Sequence, residues 1–262
     1  MFKRLIRLVC NTLGYDVRRL RVTPGRCASA PVAYGIPDEQ YYTPLFSPWL
    51  GYGGFAQFYA VAQPYTLVSP DRCHVLWILS RQSALLSGVW MECGVYRGGT
   101  AMLLAKTIAD RGLPVALHLF DTFAGMPETD PAVDLHRWGD FSDVVFSEVR
   151  ERIQSVCGGR TDIPVFHPGF IPDTFVECGI STVSFAHVDV DIYRSVMDCC
   201  EFIYPRLLAG GFLVFDDYGA PTCPGARRAV DEFFAGRPEI PLVLPTGQAV
   251  VMKCATSPGE RS

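Results

Sequence analysis

The amino-acid sequence predicts an α/β fold: an open, mostly parallel seven-stranded sheet with helices packed on it and an antiparallel hairpin at its carboxyl end. Three observations predict it. Two apolar runs, Val183–Val188 and Gly211–Phe215, each end in an acidic pair, Asp189-Val190-Asp191 and Asp216-Asp217. A helical stretch from Tyr193 to Leu208 separates them, so strand, helix and strand form one unit whose strands lie parallel and adjacent. Earlier in the chain the same alternation of short apolar runs and helical periodicity repeats, which marks a layered α/β domain.

Taken in order, residues 1–26 carry Lys and Arg at seven positions against the single Asp16. Phe2, Leu5, Ile6, Leu8, Val9 and Leu13 would line one face of a short helix. Arg7 interrupts any signal-peptide core. The segment reads either as a weak anchor on anionic lipid or as a basic arm or helix packed on the domain. Residues 22–70 are rich in Pro, Gly and aromatics, including Tyr34, Tyr41, Tyr42, Trp49, Tyr52, Phe55 and Phe58. That is too apolar for a disordered linker. It reads as a lid over the site, a dimer surface or packing on the core.

Ser69-Pro70-Asp71 starts a helix carried by Arg72 to Leu86, and Gly88 ends it. Strands are expected at 89–94, 117–121, 164–168, 184–189 and 211–216. Helices are expected at 99–111, about 143–157, 193–208 and 224–236, with Gly210-Gly211 closing the third. Pro241–Pro245 and Gln248–Cys254 turn at Thr246-Gly247 and form the hairpin. The domains expected are an extension over 1–69, the α/β domain over 70–255 and a tail over 256–262.

With 262 residues, 49% of them hydrophobic, the chain suits one α/β domain with additions. A net charge of −4 gives no basic balance that would suggest nucleic acid. No apolar run reaches 18 residues, so no membrane-spanning helix is expected. The ten cysteines are scattered without a C-x-x-C pair. They read as free, mostly buried thiols in a reducing, cytoplasmic compartment.

Parallel strands side by side deliver both acidic pairs to the carboxyl end of the sheet, where open α/β sheets bind ligands. Up to four carboxylates then converge, and such a cluster needs a cation or raised pKa values. All-oxygen ligation suits a hard divalent ion such as magnesium, calcium or manganese. The first strand leads into Glu92-Cys93-Gly94-Val95-Tyr96-Arg97-Gly98-Gly99-Thr100. A dinucleotide loop would follow G-x-G-x-x-G; here the spacing is G-x-x-x-G-G with a carboxylate at the strand end. Glu92 would repel phosphate and welcome an ammonium group, which favours a cofactor with a free amino-acid end, such as S-adenosylmethionine. Asp121, at the end of the second strand, suits ribose hydroxyls. Phe123 packs either on an adenine or in the core.

Together these motifs resemble the S-adenosylmethionine- and magnesium-dependent sugar O-methyltransferases of the macrocin, mycinamicin and novobiocin type. The residues that carry the resemblance are Glu92–Gly99, Phe120-Asp121-Thr122-Phe123-Ala124-Gly125-Met126-Pro127, Val188–Tyr193 and Gly210–Tyr218, within a span from about Pro70 to Lys253. The family's usual D-G-D is D-V-D here, and residues 1–69 match poorly. The resemblance implies a Rossmann-like class I methyltransferase fold. It implies magnesium held by Asp189, Asp216 and Asp217, with Asp191 as general base. It further implies cofactor contacts from Glu92, Gly94, Tyr96, Gly98, Thr100, Asp121, Thr122, Phe123, Ser142 and Asp189, and acceptor contacts from His136, Tyr193 and Gln248. The acceptor is expected to be a sugar or glycosylated small molecule, and the assembly a homo-oligomer. A catechol or phenol O-methyltransferase of the same fold is the alternative, but its base is typically a Lys soon after the acidic ligand, and no Lys lies between Lys106 and Lys253. A ligand-binding protein that kept the fold without catalysis is a further alternative.

Overall fold

Strands β1 (Val89–Cys93), β2 (Leu117–Asp121), β3 (Pro164–Pro168), β4 (Val183–Val188) and β5 (Leu207–Phe215) run parallel in the spatial order β3-β2-β1-β4-β5. A two-residue β6 (Leu242–Val243) and β7 (Ala249–Met252) complete a seven-stranded sheet. β7 pairs antiparallel with both β5 and β6, so the expected hairpin forms the sheet edge. This computed structural model describes residues 46–51 and 53–255. The basic segment 1–26, Tyr34, Tyr41, Tyr42, Tyr52 and the tail 256–262 lie outside the described residues. The chain divides into two units between Phe46 and Ser47, and the sheet with its helices belongs to the second.

The central strands β1, β2 and β4 are largely buried on both sides because their side chains alternate between two apolar layers. Trp90, Leu117, Leu119, Phe185 and Val214 face one layer. It is built with α1 (Phe55–Ala62), α2 (Pro70–Ser83), α3 (Gly99–Asp110) and α4 (Phe146–Ser155). Met91, Cys93, Phe120, Ala186, Leu213 and Phe215 face the other. There they meet the short α5 (Asp173–Val176), α6 (Tyr193–Ile203) and α7 (Pro224–Phe234).

Three departures from the expected elements have local causes. The helix from Tyr193 stops at Ile203 rather than Leu208 and tightens into a 3-10 turn over Tyr204–Arg206, where Pro205 cannot continue α-helical bonding. β5 therefore starts at Leu207, and Gly210-Gly211 lie inside it, at a shift in its register with β4, rather than closing the helix. The end of the aromatic segment is α1, whose Phe55 and Phe58 pack on Trp77 of α2 at 5.6 and 5.4 Å between ring centroids. These two side chains are core.

All described cysteines are free; six are buried, Cys178 is partly buried and Cys254 is exposed. No helix among the described residues is long and apolar enough to cross a membrane.

Candidate active site

The strand order reverses between β1 and β4, where β1 sends its connection to β2 on one side and β4 sends its own to β5 on the other. A crevice forms at such a point beyond the carboxyl ends of the strands. Here it is a cavity of about 320 Å³ lined from β1 by Gly94, Val95 and Tyr96, from β2 by Asp121 and Thr122, from β4 by Asp189 and Asp191, and from β5 by Asp216 and Asp217.

The loop after β1 needs its glycine. Gly94 has φ +87°, and a Cβ there would stand 1.7 Å from the carbonyl oxygen of Asp189. The bare α-carbon lets the loops after β1 and β4 touch, and the Asp189 N–H donates to the Cys93 carbonyl at 2.8 Å. Asp121 fixes the same loop from the other side. One carboxylate oxygen accepts from the N–H groups of Val95 and Tyr96 at 2.7 and 2.8 Å, and the other accepts from Phe123 N–H at 2.7 Å. Four residues other than glycine hold positive φ among the described residues: Tyr96, Phe123, Phe141 and Asp191. All four lie in the loops around the cavity, and backbone strain of this kind gathers where surrounding contacts enforce a working geometry.

The acidic cluster is compensated unevenly. Asp216 ion-pairs with the Arg72 guanidinium, accepts from Gln248 Nε2 at 2.8 Å and lies 3.5 Å from His187 Nε2. Burial pushes its pKa up, but His187 and Arg72 together outweigh burial and hold it below the usual carboxylate range. His187 is fully buried, with Nδ1 2.9 Å from Glu92, its partner across the β1–β4 ladder. Burial opposes its charging, yet the two flanking carboxylates raise its pKa well above the ordinary value. Among the described residues, Asp189 and Asp217 have no such partner. Burial and then the Asp216 charge hold Asp189 well above the carboxylate range. Burial and then the Asp189 and Asp191 charges do the same to Asp217. Asp217 also accepts the Asp191 backbone N–H at 3.0 Å.

These residues fit a divalent cation. Partly buried Asp189 and buried Asp217 lack an ion-pair partner among the described residues, and carboxylate oxygens are donors that hard ions prefer. Among the described residues of this cluster, the ligand atoms that lie within 4.8 Å of one another belong to Asp189, Asp216 and His187, so a ring nitrogen stands in that group where Asp217 was expected.

Asp191 stands slightly apart. Its Oδ1 is 3.3 Å from Cys223 Sγ and 3.8 Å from His136 Nε2. Burial raises its pKa, and the Cys223 hydrogen bond and His136 only partly offset that.

Of the residues expected at the site, Gly94, Tyr96, Thr100, Asp121, Thr122, His136, Asp189, Asp191, Asp216 and Asp217 line the cavity. Glu92, Gly98, Phe123, Ser142, Tyr193 and Gln248 do not. Glu92 is fully buried, with Oε1 2.9 Å from His187 Nδ1 and Oε2 without a hydrogen-bond partner among the described residues. Gly98 packs on Val149 and Ile153 of α4, and Phe123 packs on Phe146 at 4.7 Å. Ser142 abuts Gly125, the Tyr193 hydroxyl donates to Glu232, and Gln248 supports Asp216 from behind.

Sequence reasoning misses three residues. His187 lies two before Asp189 on one strand, so the two-residue period could have placed it on the same side. Arg72 and Cys223 come from remote segments, and no spacing announces them.

A model of the macrocin O-methyltransferase family (TylF) matches residues 71–241. The demethyldecarbamoylnovobiocin O-methyltransferase of Streptomyces niveus is 33% identical over 161 residues, 56% of this chain and 58% of the relative. The mycinamicin III 3''-O-methyltransferase of Micromonospora griseorubida is 33% identical over 168 residues, 58% of this chain and 63% of the relative. The chain thus spans about three fifths of the length of the curated relatives it matches. Among solved structures, the O-methyltransferase NovP superposes with a TM-score of 0.66 at 24% identity, covering 73% of this chain and 83% of that one. The calicheamicin methyltransferase CalS11 superposes with a TM-score of 0.60 at 19% identity, covering 76% and 90%. At these identities the likeness shows a shared fold, that of class I O-methyltransferases.

Proposed function

Because the chain belongs to the macrocin O-methyltransferase family, we propose that it transfers a methyl group from S-adenosylmethionine to a hydroxyl of a sugar or glycosylated small molecule, assisted by a divalent cation. The observation that carries this is the convergence of a glycine loop and two acidic loops on one cavity at the reversal of strand order. The two curated relatives act, by their names, on demethyldecarbamoylnovobiocin and mycinamicin III, and a third, 30% identical over 154 residues, is named for a rhamnosyl-bearing tetracenomycin, which supports a sugar acceptor.

In this reading the loop from Gly94 to Thr100 and the β2 end at Asp121-Thr122 seat the methyl donor. Asp189, Asp216 and Asp217 would hold the cation, magnesium in the first place, and the cation would lower the pKa of a bound hydroxyl and orient it. Asp191 takes the hydroxyl proton as the oxygen accepts the methyl group. Its basicity suits the task, since burial raises the pKa of its carboxyl toward the working pH. His187 keeps the site's negative charge tolerable as a cation between Glu92, 2.9 Å from Nδ1, and Asp216, 3.5 Å from Nε2. Arg72 fixes Asp216 from the cavity wall. Alignment of donor and acceptor inside the walled cavity supplies much of the rate.

The test is transfer of a labelled methyl group from S-adenosylmethionine to a panel of glycosides bearing vicinal hydroxyls, with magnesium and with a chelator. Transfer that needs the cation is expected. Transfer untouched by the chelator would remove the cation from the mechanism. Binding of S-adenosylmethionine with no transfer to any acceptor would favour a non-catalytic role.

A further inference from the structure

Beside the oxygen-rich acidic cluster the cavity holds a second, chemically different group. His136 from the loop after β2, Asp191 after β4 and Cys223 just before α7 place one ligand atom each within 4.8 Å of one another. Cys223 Sγ is 3.3 Å from Asp191 Oδ1 and 3.7 Å from His136 Nε2, and His136 Nε2 is 3.8 Å from Asp191 Oδ1. Ligands of a tetrahedral zinc ion, about 2.0–2.3 Å from the metal, stand roughly 3.3–3.6 Å apart along each edge. The three atoms already form one face of such a tetrahedron to within a few tenths of an ångström. All three residues line the cavity, so the fourth corner opens to it.

The support behind the histidine is also in place. His136 Nδ1 lies 3.2 Å from Asp140 Oδ2, and the Arg137 backbone N–H holds that same oxygen at 2.9 Å. A proton shared along that contact keeps the Nε2 lone pair turned toward Cys223 and Asp191. A carboxylate behind a ligating imidazole is how metal sites fix tautomer and ring orientation. Mixed nitrogen, oxygen and sulfur donors select zinc over magnesium.

We propose that His136, Asp191 and Cys223 form a site for a thiophilic divalent cation, zinc foremost, separate from the hard-ion site at Asp189, Asp216 and Asp217, and that filling it switches the enzyme off. On binding, the cation replaces the thiol proton that Cys223 now shares with Asp191, and that proton passes to solvent. Asp191 is then a ligand and no longer free to accept a proton. Only this inhibitory consequence rests on the methyl-transfer reading; the binding does not.

The experiment uses the full chain with a phosphine reductant, excess magnesium and no methyl donor, titrated with cobalt(II) as a coloured stand-in for zinc. One equivalent should give a sulfur-to-cobalt charge-transfer band, which zinc then abolishes. The acidic cluster has no sulfur and cannot produce that band. Cys223→Ser should remove it. His136→Gln, at a partly exposed position, should weaken cobalt binding at least tenfold and serves if the serine variant folds poorly; Asp140→Asn should weaken it about tenfold. Zinc at the concentration that fills the site should stop methyl transfer in the wild type. No band, or a band unchanged in Cys223→Ser and His136→Gln, would overturn the site. A band without any methyl transfer in zinc-free enzyme would count against the reaction and not against the site.

Discussion

The four aspartates differ in their surroundings, so their substitutions should fail differently. Asp189→Asn removes a charge from the pair that lacks a cation, and raised magnesium should restore part of its turnover. Asp191→Asn keeps those carboxylates but puts an amide where the proposed proton acceptor stands. It should lose about 10²–10⁴-fold in rate, with magnesium giving no rescue. A magnesium titration of activity in the two variants checks this, and the reverse pattern would exchange the roles. Arg72 leads to a second expectation. Replacing it with Met leaves the buried Asp216 carboxylate without its guanidinium. Breaking a buried pair from one side costs about 3 kcal/mol. Denaturant unfolding should show that loss in chelator and recover part of it in magnesium, because a cation supplies the missing charge. Equal loss in both conditions would mean that no cation reaches Asp216. The aspartates themselves were legible because each follows a strand of its own, and strand ends gather at one place. Arg72 and Cys223 were not, because a contact between segments 144 residues apart, such as Arg72 and Asp216, leaves no local pattern.

Strands and helices were legible wherever local periodicity and burial agree. β4 is buried along its whole length and stands within one residue of its expected bounds. The errors fall where one residue overrides periodicity, as Pro205 does at the end of α6, and where a four-residue helix such as α5 is too short to show any. One pairing between strands makes its own prediction. His118 on β2 and His167 on β3 stack at 5.2 Å, with Nδ1 and Nε2 2.9 Å apart. Burial first, and His167 second, lower the His118 pKa to about 4, and burial lowers that of His167. Both histidines thus bind protons more readily unfolded than folded. Their contribution is fully present above the ordinary histidine pKa and is lost as pH falls from there toward about 4. With solvent reaching the pair, the loss is on the order of 1–2 kcal/mol. Melting temperatures from pH 7 down to 4 should fall less steeply for the His118→Gln/His167→Gln double variant than for the wild type. Parallel curves would mean that the pair is not the source.

The architecture was the most legible part, because alternation of strand and helix with right-handed crossovers leaves few arrangements for a sheet of this size. What stands at the mouth of the cavity was harder to read, since Tyr65, Thr66 and Leu67 reach it from a segment with weak periodicity. One detail of the cavity floor bears on how the protein handles two ligands at once. At Gly94 the backbone of the loop after β1 rests on the carbonyl of Asp189, with no side chain between them. The proposed donor site and the proposed cation site therefore share a wall of two touching main chains. Linkage then requires reciprocity: by whatever factor a bound cation alters the donor's affinity, the donor alters the cation's by the same factor. Calorimetric titrations of S-adenosylmethionine with and without magnesium, and of magnesium with and without the donor, should close this cycle with a factor different from one. In Gly94→Ala, where the added methyl group pries the two chains apart, the factor should fall toward one, and the partners of this shared wall would answer their ligands independently.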